Sequence, residues 1–328
     1  MVLSTAALKV LRRAYSQARI TVLASQSNHE ILKHNPHVDQ ILIYKGILWF
    51  FREIRPKGYD LVIDPFVTYE LRQAFMAYLA GGKYRIGFEE AGREIFFNVK
   101  GPVASTPKRM VGHLLDLVEL LGCKREGCKP EVFLSQKELQ WASETLDSKG
   151  ININKLTITI HPGAYYPSQR WSAERFGEVA RRVLEQGETN VILLGSRDEK
   201  ALLRDVTKIA GDGVQVFSGL KLRELMALLS KCDLLVCNNS GPLHIASALK
   251  IRTVSMVGPT VTPLWLPYGK HDMVISKGLS CSPCNKAVCR NHECMESITV
   301  DEVFEAVKSQ ITRMHSKRKR RVATQKSA

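Results

Sequence analysis

No apolar run in this chain of 328 residues approaches the roughly 20 needed to cross a bilayer as a helix. An export signal is lacking too. Met1-Val2-Leu3 is followed by Ser4, Thr5 and Ala6, and only then by Lys9, Arg12 and Arg13, the wrong order for a secretory leader; a cytoplasmic location is expected. No Gly-x-Gly-x-x-Gly follows any strand-like run, and no Gly-x-x-x-x-Gly-Lys-Ser/Thr occurs, which disfavours an ordinary dinucleotide dehydrogenase and a P-loop phosphohydrolase. The scarce charge is the acidic one: 32 Asp and Glu stand against 47 Lys and Arg, a net charge of +15. That excess favours polyanionic partners without choosing among nucleic acid, anionic lipid and phosphorylated substrates.

What is present describes a globular protein of two domains, with 45% hydrophobic residues and a mean hydropathy of -0.11. The first half alternates strand and helix: Ile20–Ala24, Gln40–Tyr44, Asp60–Asp64 and Tyr84–Phe88 read as strands, with helices over 28–33 and from about Thr68 to Leu79. It opens on an amphipathic helix, Val2–Tyr15, where doubly wound domains open on a central strand. The expectation is either that the true beginning lies upstream or that the sheet is a variant built without that strand. Ser135 caps a further helix, and residues 1–150 are assigned to a first domain, 151–315 to a second and 316–328 to a basic tail. Lys317-Arg318-Lys319-Arg320-Arg321 is either a solvated tail or a tether to an anionic membrane, each charge contributing roughly 1 kcal/mol near lipid.

In the second half, Leu156–Ile160, Asn190–Leu194, Val214–Phe217, Asp233–Cys237 and Arg252–Val257 read as parallel strands, most followed by turns rich in Gly or Ser. The stretch from Leu234 to Leu249 organises the whole. An apolar strand runs into Asn238-Asn239-Ser240-Gly241-Pro242 and then a helix with His244 in its first turn. Ser is a favoured N-cap and Pro suits the first helical turn. The stretch is either an ordinary strand-to-helix turn or an anion site, where backbone N–H groups and the helix dipole meet a diphosphate.

His161-Pro162-Gly163-Ala164, Gln169-Arg170-Trp171-Ser172, Leu193-Leu194-Gly195-Ser196 and Asn238–Ala246, in that order, resemble glycosyltransferase family 9, which contains the ADP-heptose:lipopolysaccharide heptosyltransferases. Asn35-Pro36-His37-Val38-Asp39, Tyr59–Asp64 and Arg85-Ile86-Gly87-Phe88 resemble that family's first domain. The resemblance implies an α/β fold of the GT-B type, two facing Rossmann-like domains, the first for a lipid-linked acceptor and the second for a nucleotide-sugar donor. It implies inverting, metal-independent transfer from an ADP-sugar to the lipopolysaccharide inner core (a lipid A–Kdo-type acceptor) at the inner membrane, with no nucleic acid involved. By position, Ser240, Gly241 and His244 would hold the donor diphosphate and Arg170 would neutralise the leaving phosphate. Gly195, Ser196 and Glu199 would lie near the ribose and Leu220 near the adenine. Asn239 stands where many members have Asp. The family's general base, an Asp, would fall immediately before Met1, so no catalytic base is assigned within the chain; His161 and His113 are substitutes, or else loop and packing histidines. A protein lacking that base would be a non-catalytic binder of nucleotide-sugar or glycolipid, which is the second reading.

Cys281, Cys284, Cys289 and Cys294 fall within fourteen residues, at a spacing compatible with structural zinc, with an iron–sulfur cluster, or with free thiols. Disulfides are disfavoured in a reducing compartment.

Overall fold

The computed structural model describes residues 1–67, 70–103, 108–152, 154–187, 189–260 and 263–326, the last from 317 by backbone alone. The chain divides into two compact units, Met1–Phe133 and Leu134–Ala328.

In the first unit α1 (Thr5–Ala14) precedes β1 (Thr21–Ala24) and β2 (Gln40–Ile43). Then come α2 (Ile47–Glu53), β3 (Leu61–Ile63), α3 (Leu71–Leu79), β4 (Tyr84–Glu89), β5 (Val99–Pro102) and α4 (Met110–Glu119). Every pairing is parallel, but the strands form two sheets, β1–β2 and β3–β4–β5. The helix expected over 28–33 is only a 3-10 turn, His29–Leu32, and Thr68 lies outside the described residues. The end of β3 is held by charge. Asp64 and Arg93 pair at 2% and 0% side-chain exposure, and Arg93 also donates to Phe66 O at 2.7 Å while Asp64 accepts from Phe66 N at 3.1 Å.

The second unit begins with α5 (Gln136–Ser148) and continues β6 (Leu156–His161), α6 (Ala173–Glu185), β7 (Thr189–Gly195), α7 (Lys200–Ala210) and β8 (Val214–Ser218). It proceeds through α8 (Leu222–Leu229), β9 (Leu234–Asn238), α9 (Gly241–Ala248), β10 (Arg252–Met256) and β11 (Asp272–Ile275), and closes on α10 (Glu293–Glu296) and α11 (Val300–Lys326). Its six strands are parallel in the order β11-β10-β9-β6-β7-β8. One face of the sheet, through Ile158, Ile160, Val191, Leu193, Leu234 and Val236, packs against Phe176, Val179 and Val183 of α6 and Val303 and Val307 of α11. The central residues of β7 and β9 are apolar on both faces, whereas the opposite face of β6 and β10 carries the buried hydroxyls of Thr157, Thr159, Thr253 and Ser255. The last helix carries on through the stretch assigned to a basic tail. The electrostatic role of Lys317–Arg321 rests on side chains outside the described residues.

The boundary differs from the sequence assignment at residue 150: the second unit starts at Leu134 and includes α5. α5 packs along α8, and one carboxylate ties the two. Glu138 completes the capping box with Ser135 and also takes Arg223 of α8 on both oxygens, each at 2.7 Å. The Arg223 hydrogen bonds hold the Glu138 carboxyl down to about 2, against its ordinary 4.5. With the folded value depressed, the stabilisation is whole above about pH 4.5 and is lost as pH falls toward about 2. Glu138→Gln is therefore expected to cost about 1.5–3 kcal/mol at neutral pH, a deficit that shrinks through that acid window. Urea unfolding of both proteins at stepped pH reads it, and a deficit constant with pH refutes the assignment.

Candidate active site

The sheet of the second unit changes its direction of winding between β6 and β9. From β6 the chain passes to β7 and β8 on one side, then to β9, β10 and β11 on the other. In open parallel sheets the ligand crevice lies beyond the carboxyl ends of the strands that flank such a switch. Those ends are His161 and Asn238.

Asn238 is fully buried and braces the β6 loop: its amide donates to Pro162 O at 2.8 Å and its carbonyl accepts from Trp171 N at 3.0 Å. The Trp171 indole donates to Ile298 O at 2.9 Å and lies edge-on to Phe176. Between these anchors sits Arg170, whose Nε donates to Ala164 O at 3.0 Å. Ser168 fixes the loop from the other side. Its hydroxyl donates to Lys286 O, its N–H donates to Ala287 O at 3.2 Å, and its carbonyl meets His292 Nε2 at 2.7 Å.

Ser240 occupies the N-cap position of α9, but its hydroxyl makes no capping hydrogen bond. The Oγ is enclosed and unpartnered, as is Nδ1 of His244 in the first turn. Two polar atoms orphaned at a helix N-terminus are costly unless a ligand satisfies them. Beside them, a Cβ built on Gly241 would meet nothing within 4 Å, so the space is open. Burial pushes the His244 imidazole down to about 4, and it is neutral near pH 7. Asn239 turns away and donates to Thr260 Oγ1 at 3.0 Å.

On the other side of the switch, Ser196 N donates to Glu199 Oε2 at 2.7 Å, which folds the carboxylate back toward β6. It lies 3.9 Å from His161 Nε2. Gly163 permits this, since a Cβ there would fall 1.8 Å from Glu199 Oε1. Burial holds the His161 imidazole below its ordinary value, against the pull of Glu199. Gly219 N donates to Gly195 O at 3.0 Å, which brings half-buried Leu220 next to the β7 turn. His113 belongs elsewhere: it is buried on α4 of the first unit, edge-on to Phe88.

The cysteine segment supports the site. Cys284 N donates to Pro259 O at 3.0 Å and the Ser282 hydroxyl to Gly258 O at 2.7 Å, while Lys286, Ala287 and His292 hold Ser168. Cys281 is exposed, Cys284 and Cys289 are half-buried, and Cys294 is buried. Among the described residues no three His, Cys, Asp or Glu side chains are placed to share a metal ion. Asn238 and Ser168 are the supporting residues that motif reading missed. The Asn238-Asn239 doublet ending an apolar strand was the available signal for the first.

A doubly wound domain with enclosed, unpaired polar atoms at a helix start on its switch point is suited to an anionic ligand. The sequence matches the profile of glycosyltransferase family 9 (heptosyltransferase) over residues 47–295. The chain belongs to that family. Lipooligosaccharide heptosyltransferase 2 of Campylobacter jejuni is 28% identical over 163 residues, 47% of this chain and 51% of that one. The chain thus spans about half the length of that curated relative. Among solved structures, a family 9 glycosyltransferase from Veillonella parvula superposes with a TM-score of 0.86 at 22% identity, covering 95% of this chain and 94% of that one. The Escherichia coli heptosyltransferase WaaC with ADP superposes at 0.73 with 17% identity, covering 94% and 95%. The parallel α/β fold of GT-B type expected from the sequence is the fold observed.

Proposed function

We propose that the chain is an inverting glycosyltransferase that moves heptose from ADP-heptose to a lipopolysaccharide inner-core acceptor at the cytoplasmic face of an anionic membrane. The observation that carries the reading is the pair of orphaned atoms, Ser240 Oγ and His244 Nδ1, at the start of α9. Family membership supports the chemistry, and the WaaC complex supports ADP as the leaving group. Among the described residues no helix is long and apolar enough to cross a membrane, which accords with attachment at the surface.

In this reading an acceptor hydroxyl attacks the anomeric carbon from the face opposite the diphosphate. The new C–O bond forms as the bond to ADP breaks, and the hydroxyl proton passes to a base. The second unit's residues hold the departing charge. Ser240 and the N–H of Gly241 donate to the diphosphate, and Arg170 neutralises it. Gly195, Ser196, Glu199 and Leu220 border the nucleoside, and Asn239 positions the turn through Thr260. Incubation with ADP-heptose and a lipid A–Kdo acceptor, followed by mass spectrometry of the glycolipid, tests the activity; neither heptosylated product nor released ADP would refute it. His244→Ala is expected to weaken ADP binding by about 10- to 100-fold, the cost of one hydrogen bond to a charged group. Calorimetric titration with ADP measures this, and unchanged affinity removes His244 from the site.

A further inference from the structure

We propose that the outer face of α2, with the adjoining stripe of α3, is the surface by which this protein docks on an anionic bilayer. The inference deepens the proposed function, since it rests on a lipid-borne acceptor and names where the chain meets the lipid.

The two helices share one core. Phe50 and Ile54 at α2 pack with Ala80, Met76 and Leu79 from α3 and its end. Their other faces are apolar where solvent-facing helices are ordinarily polar. On α2, Leu48 is 84% exposed, with Ile47 and Phe51 beside it on the same arc. On α3, Leu71, Phe75 and Tyr78 recur at i, i+4 and i+7 and are each about half exposed, while Ala74 and Ala77 face inward. Single exposed apolar residues are ordinary, but Ile47, Leu48 and Phe51 on one face of a short helix make a patch that marks a binding surface, while Phe75 and Tyr78 of α3 divide their area between solvent and Phe96.

The rim selects the occupant. Lys45, Arg52, Arg55 and Lys57 are exposed along this segment against one acid, Glu53, itself paired with Arg52. Arg55 lies over the Phe51 ring at 5.9 Å and Arg85 over Tyr78 at 5.4 Å. Protein–protein interface cores are depleted of lysine, and a second copy would bring a like-charged rim and a net charge of +15 against the first. Apolar side chains set among snorkelling cations instead match the boundary of headgroups and acyl chains. Anionic lipid supplies the opposite charge.

The test uses the full chain and co-sedimentation with vesicles of phosphatidylethanolamine containing phosphatidylglycerol, beside vesicles of phosphatidylcholine alone. The wild type should bind the anionic vesicles and release them in high salt. Leu48→Ser with Phe51→Ser should lower the partition coefficient by at least about tenfold, and Leu48→Ser alone, at a position 84% exposed, should lower it with an unchanged melting curve. Arg55→Gln with Lys57→Gln should lower it by about fivefold per charge. Transfer to a deacylated, water-soluble acceptor should survive the Leu48/Phe51 changes. A chain without transferase activity still gives a clear answer on vesicles, so the two readings fail separately. Docking here is overturned if the wild type ignores anionic vesicles or if the double serine variant binds them equally. It is also overturned if sedimentation equilibrium shows a dimer that this variant splits, which assigns the face to a second copy.

Discussion

Arg170→Ala is expected to lower kcat for sugar transfer by about 10²–10³-fold, the effect of losing one preorganised charge-stabilising group. The reason lies in how Arg170 is held. Its Nε is committed to Ala164 O, and the loop around it is pinned at Ser168 by the cysteine segment and at Trp171 by Asn238. The remaining guanidinium nitrogens therefore need little reorganisation as charge collects on the departing diphosphate. Binding of intact donor should suffer less than turnover, because the charge on the bridging oxygen develops only as the bond breaks. Arg170→Lys keeps the charge but loses both the Nε anchor and the planar fork, and should recover only part of the rate. Single-turnover kinetics at saturating donor separates these effects. A full rate in the alanine variant would take Arg170 out of the chemistry.

Arg93→Met should destabilise the first unit by about 3–5 kcal/mol, the cost of leaving a buried carboxylate without its partner. Asp64 and Arg93 have almost no exposed side-chain area, and the pair closes the end of β3 by holding both the N–H and the C=O of Phe66. Burial pushes the Asp64 carboxyl above its ordinary value even with Arg93 in place. Without the guanidinium, the folded state should keep Asp64 protonated to a still higher pH. A carboxyl raised on folding contributes stability at pH below its unfolded value and loses it as pH rises through the folded one. The variant should therefore lie closest to wild type in mild acid and fall behind toward neutrality. Hydrogen exchange in peptides covering β3, β4 and β5 reports this locally. Protection equal to wild type at neutral pH would show that the pair is dispensable.

The fold was legible wherever short apolar runs alternated with helical spacing, hence β1, β2, β3, β4 and all of β6 to β10. It was least legible where tertiary context overrides composition. β5 ends in Gly101-Pro102, residues poor for strands but tolerated here because β5 is an edge. β11 is four residues long, and among the described residues it pairs with β10 alone. α2, Ile-Leu-Trp-Phe-Phe-Arg-Glu, is apolar nearly all round and shows no solvent face in its pattern. A division at Leu134 was harder to read than one near residue 150, because a Glu in a capping box gives no hint that Arg223, 85 residues on, will claim the same carboxylate. The turns that end β6, β7 and β9 were readable from their Gly, Ser and Pro residues. What stayed hidden was that the Ser240 hydroxyl is not spent on the cap and that Asn238, two positions earlier, does the bracing.

The parallel six-stranded sheet also sets a timetable for synthesis. β6 lies between β7 and β9, and Asn238 follows the Pro162 that it braces by 76 residues. At ribosomal speeds of about 5–20 residues per second, β6 waits roughly 4–15 s with one edge unpaired. Helix α6 can cover a face of the strand in that time but not its hydrogen-bonding edge. The edge later sealed by β9 is the one beside which the candidate site forms, so the nascent chain is most prone to wrong pairing at the place proposed to bind the donor. Ribosomes stalled between codons 162 and 238 should therefore carry the chains most avidly held by chaperones.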